Sequence, residues 1–194
     1  MDEKAKILKF IDKNLFITMA EAKKEGISPM TLSRMVAGEK LYSTERGIYT
    51  STLEWLTDPL QKYLPACTLY TDAVISGISS LTYYDLTDAE ERNIWITIPI
   101  SRVVKNAKYR TVRSQGLWYS LGVQTVKFKK RSVRIYDIEK TVIDAYKYQT
   151  EEVAYKALKA YLKRKDRNLS KLHDYAEKLG KSLEDQIRFF LADE

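Results

Sequence analysis

Apolar residues recur at helical spacing near the start of the chain, and polar residues between them mark where helices begin and end. The spacing predicts a first helix over residues 3–13. Thr18 and Glu21 then form a T-x-x-E capping box, in which each residue accepts a hydrogen bond from the other's backbone. This box predicts a second, short helix over residues 19–24.

A third helix and a hairpin follow at once. Ser28 is a good N-cap, and Pro29 suits the first helical position because its missing N–H would have no partner there. The helix is expected to end at Gly38, and strands are expected over residues 40–42 and 48–50 around a turn. Three helices followed by a hairpin are typical of a winged helix-turn-helix, although such layouts also serve protein contacts.

The outer face of the third helix carries the candidates for reading DNA. Its apolar stripe is Leu32, Met35 and Val36, so the remaining side chains are expected to face outward. The candidate residues at base edges are Met30, Thr31, Ser33 and Arg34, and the N-cap Ser28 is a further DNA-binding candidate. Further contacts, mainly to phosphates, are expected from Lys23, Lys24, Lys40 and, on the wing, Arg46.

The rest of the chain predicts a second domain with a small sheet and several helices. A connector is expected over residues 51–65, with a domain boundary near 51–57 and a short helix that begins near Asp58, and a buried helix is expected over residues 71–84. Strands are predicted over residues 94–98, 109–112, 123–128 and 133–136, with a turn at 129–132. Helices are predicted over residues 138–148, 151–165, 169–179 and 183–192. The expected fold is α+β, with a winged helix-turn-helix at residues 1–52 and a C-terminal domain at 58–194.

Charge is distributed unevenly along the chain. The formal net charge is +7, which favours polyanionic partners, and no carboxylate occurs between Glu91 and Asp137. Eleven cations lie in that stretch, and seven of them form the candidate C-terminal basic patch: Arg110, Arg113, Lys127, Lys129, Lys130, Arg131 and Arg134. Aromatic residues among them suit a nucleic-acid surface, but alternating lysines also describe the solvated face of a sheet. The sequence leaves both interpretations open.

Residues for catalysis are sparse. One histidine, His173, and one cysteine, Cys67, cannot supply a usual metal-ligand set, and no phosphate-binding glycine loop occurs. Asp137, Glu139 and Asp144 could hold magnesium in a nuclease. Helical spacing favours structural roles instead, with Asp137 as N-cap and Lys140 paired with Asp144 four residues later. We therefore expect no enzymatic activity, no metal and no cofactor.

The cellular location is predicted from what the sequence lacks. A single cysteine cannot form an internal disulfide, and the basic start has no apolar run of the kind found in signal peptides. The most apolar windows have the length of a strand rather than of a membrane helix. These features predict a cytoplasmic protein with no membrane partner.

The stretches at residues 16–51, 75–88 and 136–180, taken together, resemble the AbiEi family of antitoxins from type IV, or abortive-infection, toxin–antitoxin systems. The resemblance covers nearly the whole chain. Its most specific parts, in this order along the chain, are RGIY (residues 46–49), SSLTYYDLT (79–87) and EKTVID (139–144). Many relatives carry His-Gly where Tyr84 and Asp85 stand here, so a role of that histidine does not transfer.

The resemblance implies a bacterial protein of phage resistance with two functions. Its winged helix would bind inverted repeats in its own promoter as a transcriptional repressor. Its C-terminal domain would neutralise an AbiEii-type nucleotidyltransferase toxin, without a stable complex of the two proteins. The alternative is a nucleic-acid-binding protein whose C-terminal domain is nuclease-like or binds RNA.

Overall fold

The chain folds into two compact units. The computed structural model describes residues 2–192, and only the backbone of Phe189, Leu191 and Ala192. The first unit comprises the chain up to Thr68 together with Lys127–Ser132, and the second comprises Leu69–Val126 and the chain from Val133 onward. Both units mix helices and strands, so the fold is α+β, as predicted.

The first unit contains several short helices and a small antiparallel sheet. Its elements are α1 (Glu3–Asn14), β1 (Ile17–Thr18), α2 (Met19–Lys24), α3 (Pro29–Ala37), β2 (Tyr42–Glu45), β3 (Ile48–Thr50), two 3₁₀ turns (Glu54–Thr57 and Gln61–Tyr63) and most of α4 (Leu64–Leu69). The strand order is β1-β3-β2. Apolar side chains from α1, α2, α3 and β1 form one core, which includes Ile7, Ile11, Leu32 and Met35.

The predicted caps of α2 and α3 are confirmed. Thr18 and Glu21 form the reciprocal capping box, and the Ser28 hydroxyl accepts from the backbone N–H of Thr31. The first strand of the hairpin was predicted too early, at residues 40–42. The backbone N–H groups of Lys40 and Leu41 instead donate to the carbonyl of Met35, so this segment forms a turn that folds back on the last turn of α3, and β2 begins at Tyr42.

The first unit extends beyond the predicted boundary at residues 51–57. Trp55 packs on Phe16 with ring centroids 5.3 Å apart, and its indole N–H donates to the hydroxyl of Thr50. These contacts hold the first 3₁₀ turn on the sheet. Asp58 caps the next turn by accepting from the backbone N–H groups of Leu60 and Gln61, so the helix expected near Asp58 begins as 3₁₀ and continues as α4.

The second unit is a mixed sheet covered by helices. Its strands are β4 (Val74–Ile75), β5 (Ile94–Pro99), β6 (Tyr109–Ser114), β7 (Val123–Phe128) and β8 (Arg131–Tyr136), in the order β6-β5-β4-β8-β7. The adjoining ends of β7 and β8 and the turn between them, Lys127–Ser132, belong to the first unit. Its helices are α5 (Gly77–Tyr83), α6 (Leu117–Ser120), α7 (Ile138–Tyr148), α8 (Glu151–Leu162), α9 (Leu169–Lys178) and α10 (Glu184–Ala192).

The helix predicted over residues 71–84 is wrong in its first half. Val74 and Ile75 form the strand β4, which pairs with β5 on one side and with β8 on the other. Both residues are fully buried, and such a strand has no polar alternation that would separate it from a buried helix. Gly77, with a φ of 52°, then starts α5, whose burial agrees with the prediction.

Helix α7 lies at the centre of the second unit and contacts α5, α8 and α9. Its bounds match the prediction, and Asp137 caps it as expected. Helix α8 ends earlier than predicted, at Leu162. Among the residues described, no helix is long and apolar enough to cross a bilayer.

Candidate nucleic-acid interface

Helix α3 presents a polar outer face. Leu32 and Met35 are buried against the other helices, whereas Ser33 and Arg34 are exposed and Met30 is 61% exposed. The remaining basic candidates of the first unit are also exposed, namely Lys23, Lys24, Lys40 and Arg46. The side chains predicted to face outward on this helix therefore do so, with one exception.

That exception is Thr31, whose hydroxyl has partners within the protein. Glu3 of α1 accepts hydrogen bonds from the hydroxyl of Thr31 and from the backbone and hydroxyl of Ser28, the latter two at 3.4 and 3.3 Å. The hydrogen bonds from Thr31 and Ser28 hold the pKa of Glu3 below its ordinary value. The hydroxyls of Ser28 and Thr31 thus bind a carboxylate at the start of α3, which no feature of the sequence indicates.

The turn between β2 and β3 is attached to the start of α2. The backbone N–H of Met19 donates to the carbonyl of Gly47 at 2.8 Å. Gly47 has a φ of 82° and follows the exposed Arg46. Because Gly47 adopts this conformation without steric cost, the tight turn brings Arg46 to the tip of the hairpin, where its side chain is accessible.

The predicted C-terminal basic patch does not form one surface of one unit. Lys127, Lys129, Lys130 and Arg131 belong to the first unit, whereas Arg110, Arg113 and Arg134 belong to the second. Some of the eleven cations between Glu91 and Asp137 also have carboxylate partners, although their stretch of sequence contains no carboxylate. Arg131 pairs with Glu21 at 3.0 Å and Arg102 with Asp72 at 2.8 Å, because the fold supplies carboxylates from distant parts of the sequence.

Arg131 is the clearest departure from the predicted patch. It is only 7% exposed, so it is a buried side chain of the first unit rather than part of a solvated face. Arg113 is exposed but donates to the carbonyl of Ile100. Arg134 is half-buried and donates to the hydroxyl of Tyr119 at 3.4 Å. Lys127, Lys130 and Arg110 are exposed, as is Lys129, which donates to the carbonyl of Asp12.

The second unit carries cations on aromatic rings. Arg110 lies opposite Trp95 on the neighbouring strand, with its guanidinium carbon 5.5 Å from the ring centroid. The ammonium of Lys147 lies 3.4 Å from the ring centroid of Trp118, and that ring meets Tyr148 edge to face at 6.3 Å. The three rings are partly exposed. Lys147 and Tyr148 were not among the predicted site residues, because they lie on a helix outside the basic stretch.

The carboxylates that could have served a nuclease take part in a buried network. Asp137 accepts from the ammonium of Lys171 at 3.0 Å and from the hydroxyl of Tyr175 at 3.1 Å. Glu139 accepts from Lys171 at 2.8 Å and from the hydroxyl of Tyr161 at 3.2 Å. Each carboxylate therefore has both a cationic and a phenolic partner.

The remaining pair of this network is Lys140 and Asp144, whose ammonium and carboxylate lie 2.5 Å apart. Burial raises the pKa of Asp144 to about 6, although Lys140 acts in the opposite direction. Gly122 packs directly against Lys140 and Asp137. It has a φ of 73°, and a Cβ there would lie 2.7 Å from the Cβ of Lys140 and 2.9 Å from Asp137, so no other residue fits without displacing them.

The single histidine lies away from this network, on the exposed side of α9. His173 is 3.9 Å from Glu184. Within residues 2–192, no group of three or more His, Cys, Asp or Glu side chains is arranged to hold a metal ion.

Comparison with known proteins gives no assignment. No family model matches this chain, and no curated protein matches it.

Proposed function

We propose that the first unit is a winged helix-turn-helix that binds duplex DNA, and that the protein is an AbiEi-like antitoxin and autorepressor. The observation that carries the DNA-binding proposal is the exposed face of α3. Met30, Ser33 and Arg34 are accessible on this face, and the apolar stripe on the opposite side of the helix is buried in the core. In proteins of this class such a helix enters the major groove. Arg46, at the hairpin turn, is available for a phosphate or the minor groove.

The antitoxin part of the proposal rests on the sequence resemblance. One structural detail supports it at the position where many relatives carry glycine. Asp85 has a φ of 56°, in the left-handed region that glycine adopts without steric cost. The functional partner would be an AbiEii-type nucleotidyltransferase toxin, neutralised without a stable complex of the two proteins, and the protein would act in the cytoplasm.

A gel shift on the DNA upstream of the protein's own gene tests the repressor function. The full chain should retard this fragment, and footprinting should show two protected half-sites related as an inverted repeat. Replacing Arg34 by Ala should weaken binding by about 1–3 kcal/mol if this side chain reads a guanine. Arg188→Ala changes the same charge on a side chain of α10 that is 80% exposed, and serves as the control. Wild-type protein that does not retard the fragment would refute the proposal.

Co-expression tests the antitoxin function. Cells that make the cognate toxin should resume growth when the full chain is produced. Growth arrest that persists at full expression of the folded chain would overturn this part of the proposal and leave the DNA-binding part standing.

A second candidate function is binding of single-stranded RNA by the second unit. Trp95, Trp118 and Tyr148 are partly exposed, with Arg110 and Lys147 beside them, and nucleic-acid single strands bind by stacking and phosphate contact. The buried amide nitrogen of Gln149 beside Gly77 also has no hydrogen-bond partner among the described residues.

Tryptophan fluorescence with an unstructured RNA oligonucleotide tests this second function. The double variant Arg110→Ala/Lys147→Ala should lose most of the quenching that the wild type shows. Lys159→Ala/Lys163→Ala removes the same charge from exposed lysines at α8 and its C-cap and should bind like the wild type. Equal losses in both double variants would indicate non-specific attraction only.

A further inference from the structure

Arg131 connects three segments of the first unit from a position far along the sequence. Its Nε donates to the carbonyl of Asn14 at 2.6 Å, and one terminal nitrogen donates to the carbonyl of Phe16 at 2.5 Å. The terminal nitrogens also donate to Glu21 at 3.0 and 3.2 Å. The guanidinium carbon lies 3.6 Å from the ring centroid of Phe16. One planar group thus contacts the end of α1, the entry to β1 and the first turn of α2.

These contacts stabilise an unusual backbone. Asn14 and Phe16 flank Leu15, which caps α1 with a φ of 72°. A leucine rarely adopts this left-handed conformation, because its Cβ crowds the following carbonyl. The two carbonyls on either side of Leu15 point to the same guanidinium, so Arg131 fixes the angle at which the chain leaves α1.

The Arg131 contacts also reach the hairpin turn. The carboxylate that binds Arg131 belongs to Glu21, which accepts from the backbone of Thr18 at 2.8 Å in the capping box. Met19 follows Thr18, and its backbone N–H donates to the carbonyl of Gly47. Arg46 directly precedes that glycine. Arg131 is therefore connected to the turn that carries Arg46 by a continuous series of hydrogen bonds and two short chain segments.

We infer that Arg131 is a positioning residue for DNA binding, which sets the place of Arg46 relative to α3 without touching DNA itself. This inference rests on the proposed DNA-binding function. It implies that residues 1–52 do not make a complete binding unit. The missing part is a side chain that follows Glu21 by 110 residues.

The test compares full-length variants in their affinity for the promoter fragment over a range of salt concentrations. Arg131→Lys keeps the charge and loses the planar fork, and it should weaken specific binding at least tenfold. The slope of log affinity against log salt should stay at its wild-type value, because no phosphate contact is removed. Arg46→Ala should instead lower that slope by about 1. Arg188→Lys is the matched control.

Two further measurements keep the inference open to refutation. Glu21→Gln should give the same loss of affinity as Arg131→Lys, and the two changes together should cost no more than either alone. In addition, spin labels at Ser33→Cys and Arg46→Cys, with Cys67→Ala as background, report the distance between α3 and the hairpin turn. This distance should be narrowly distributed in the wild type and broadened by Arg131→Lys.

The outcomes separate the two proposals. If the wild type binds no DNA, the proposed function fails, while the label distances still decide the role of Arg131. A folded Arg131→Lys variant with wild-type affinity and wild-type label distances would overturn the inference. A change in the salt slope of this variant would also overturn it, because Arg131 would then contact phosphate directly.

Discussion

Each unit of this protein contains a buried ion pair, and the two pairs differ in origin and in electrostatics. In the second unit, Lys140 and Asp144 belong to one turn of α7, with side chains 0% and 4% exposed. In the first unit, Arg131 and Glu21 come from distant parts of the chain, with side chains 5% and 30% exposed. The Lys140–Asp144 pair is completed within one helix, whereas the Arg131–Glu21 pair holds separate segments of the chain together.

The carboxylates of the two pairs have opposite pKa shifts. Burial is the largest influence on both and would raise both values. For Asp144 burial prevails and raises the pKa to about 6. For Glu21 the hydrogen bonds from Arg131 and from the backbone of Thr18 outweigh burial, and the pKa lies below its ordinary value. A carboxylate with several hydrogen-bond donors at partial burial thus has a lowered pKa, whereas a nearly fully buried one that is hydrogen-bonded by the Lys140 ammonium has a raised pKa.

The largest expected effect is the loss of Lys140. Lys140→Ala removes a fully buried side chain whose ammonium lies 4.3 Å from the ring centroid of Tyr136, and it leaves Asp144 unpaired. Breaking a buried pair in this way costs about 3–5 kcal/mol of unfolding free energy near pH 7.5. The loss should be smaller at pH 5, because Asp144 can then bind a proton. Urea denaturation followed by fluorescence at both pH values measures this difference.

Lys156→Ala is the matched control for that experiment. Lys156 pairs with Asp88 and Glu152, but all three side chains are largely exposed, so the unfolding free energy should barely change. A loss in Lys140→Ala that is equal at pH 5 and pH 7.5 would contradict the role given to Asp144.

A smaller effect is expected from the coupling of Arg131 and Glu21. A double-mutant cycle with Arg131→Met and Glu21→Gln should give a coupling energy of about 2 kcal/mol, because each change removes the partner of the other. Hydrogen exchange resolved along the chain should show the loss of protection in the first unit. Coupling below about 0.5 kcal/mol would mean that Arg131 acts through the carbonyls of Asn14 and Phe16 alone.

The same comparison explains which features were predictable. The spacing of Lys140 and Asp144 predicts their pairing, and Asp137 marks the start of α7, since both relations lie within one turn. The sequence predicted Arg131 as a surface cation because Asn14, Phe16 and Glu21, which it binds, lie more than 100 residues earlier. Strand β4 was missed for a related reason, since Val74 and Ile75 are defined by their neighbours in the sheet rather than by periodicity.

The candidate interface shows the same limit. The local sequence pattern predicted that Ser33 and Arg34 lie on the outer face of α3, and both are exposed there. It could not indicate that Glu3 binds the hydroxyl of Thr31, a contact across 28 positions. A sequence pattern predicts which face of a helix points outward, but the partners of the polar groups on that face depend on tertiary packing.

The smallest expected effect is the change in unfolding free energy with pH that Asp144 and Glu21 cause, and the two carboxylates change it in opposite directions. A buried Asp144 with a raised pKa stabilises the fold in its protonated form, so its contribution is present near pH 4 and is lost as the pH rises towards about 6. Glu21 has a lowered pKa, so its contribution is present above about pH 4.5 and is lost as the pH falls further. Each slope is limited to about 1.4 kcal/mol per pH unit, the value for one proton.

The unfolding free energy of the wild type minus that of Asp144→Asn should therefore rise on acidification from pH 6 to 4. The corresponding difference for Glu21→Gln should fall below pH 4.5. Parallel slopes for the two variants would show that burial, rather than the number of donors, governs both carboxylates.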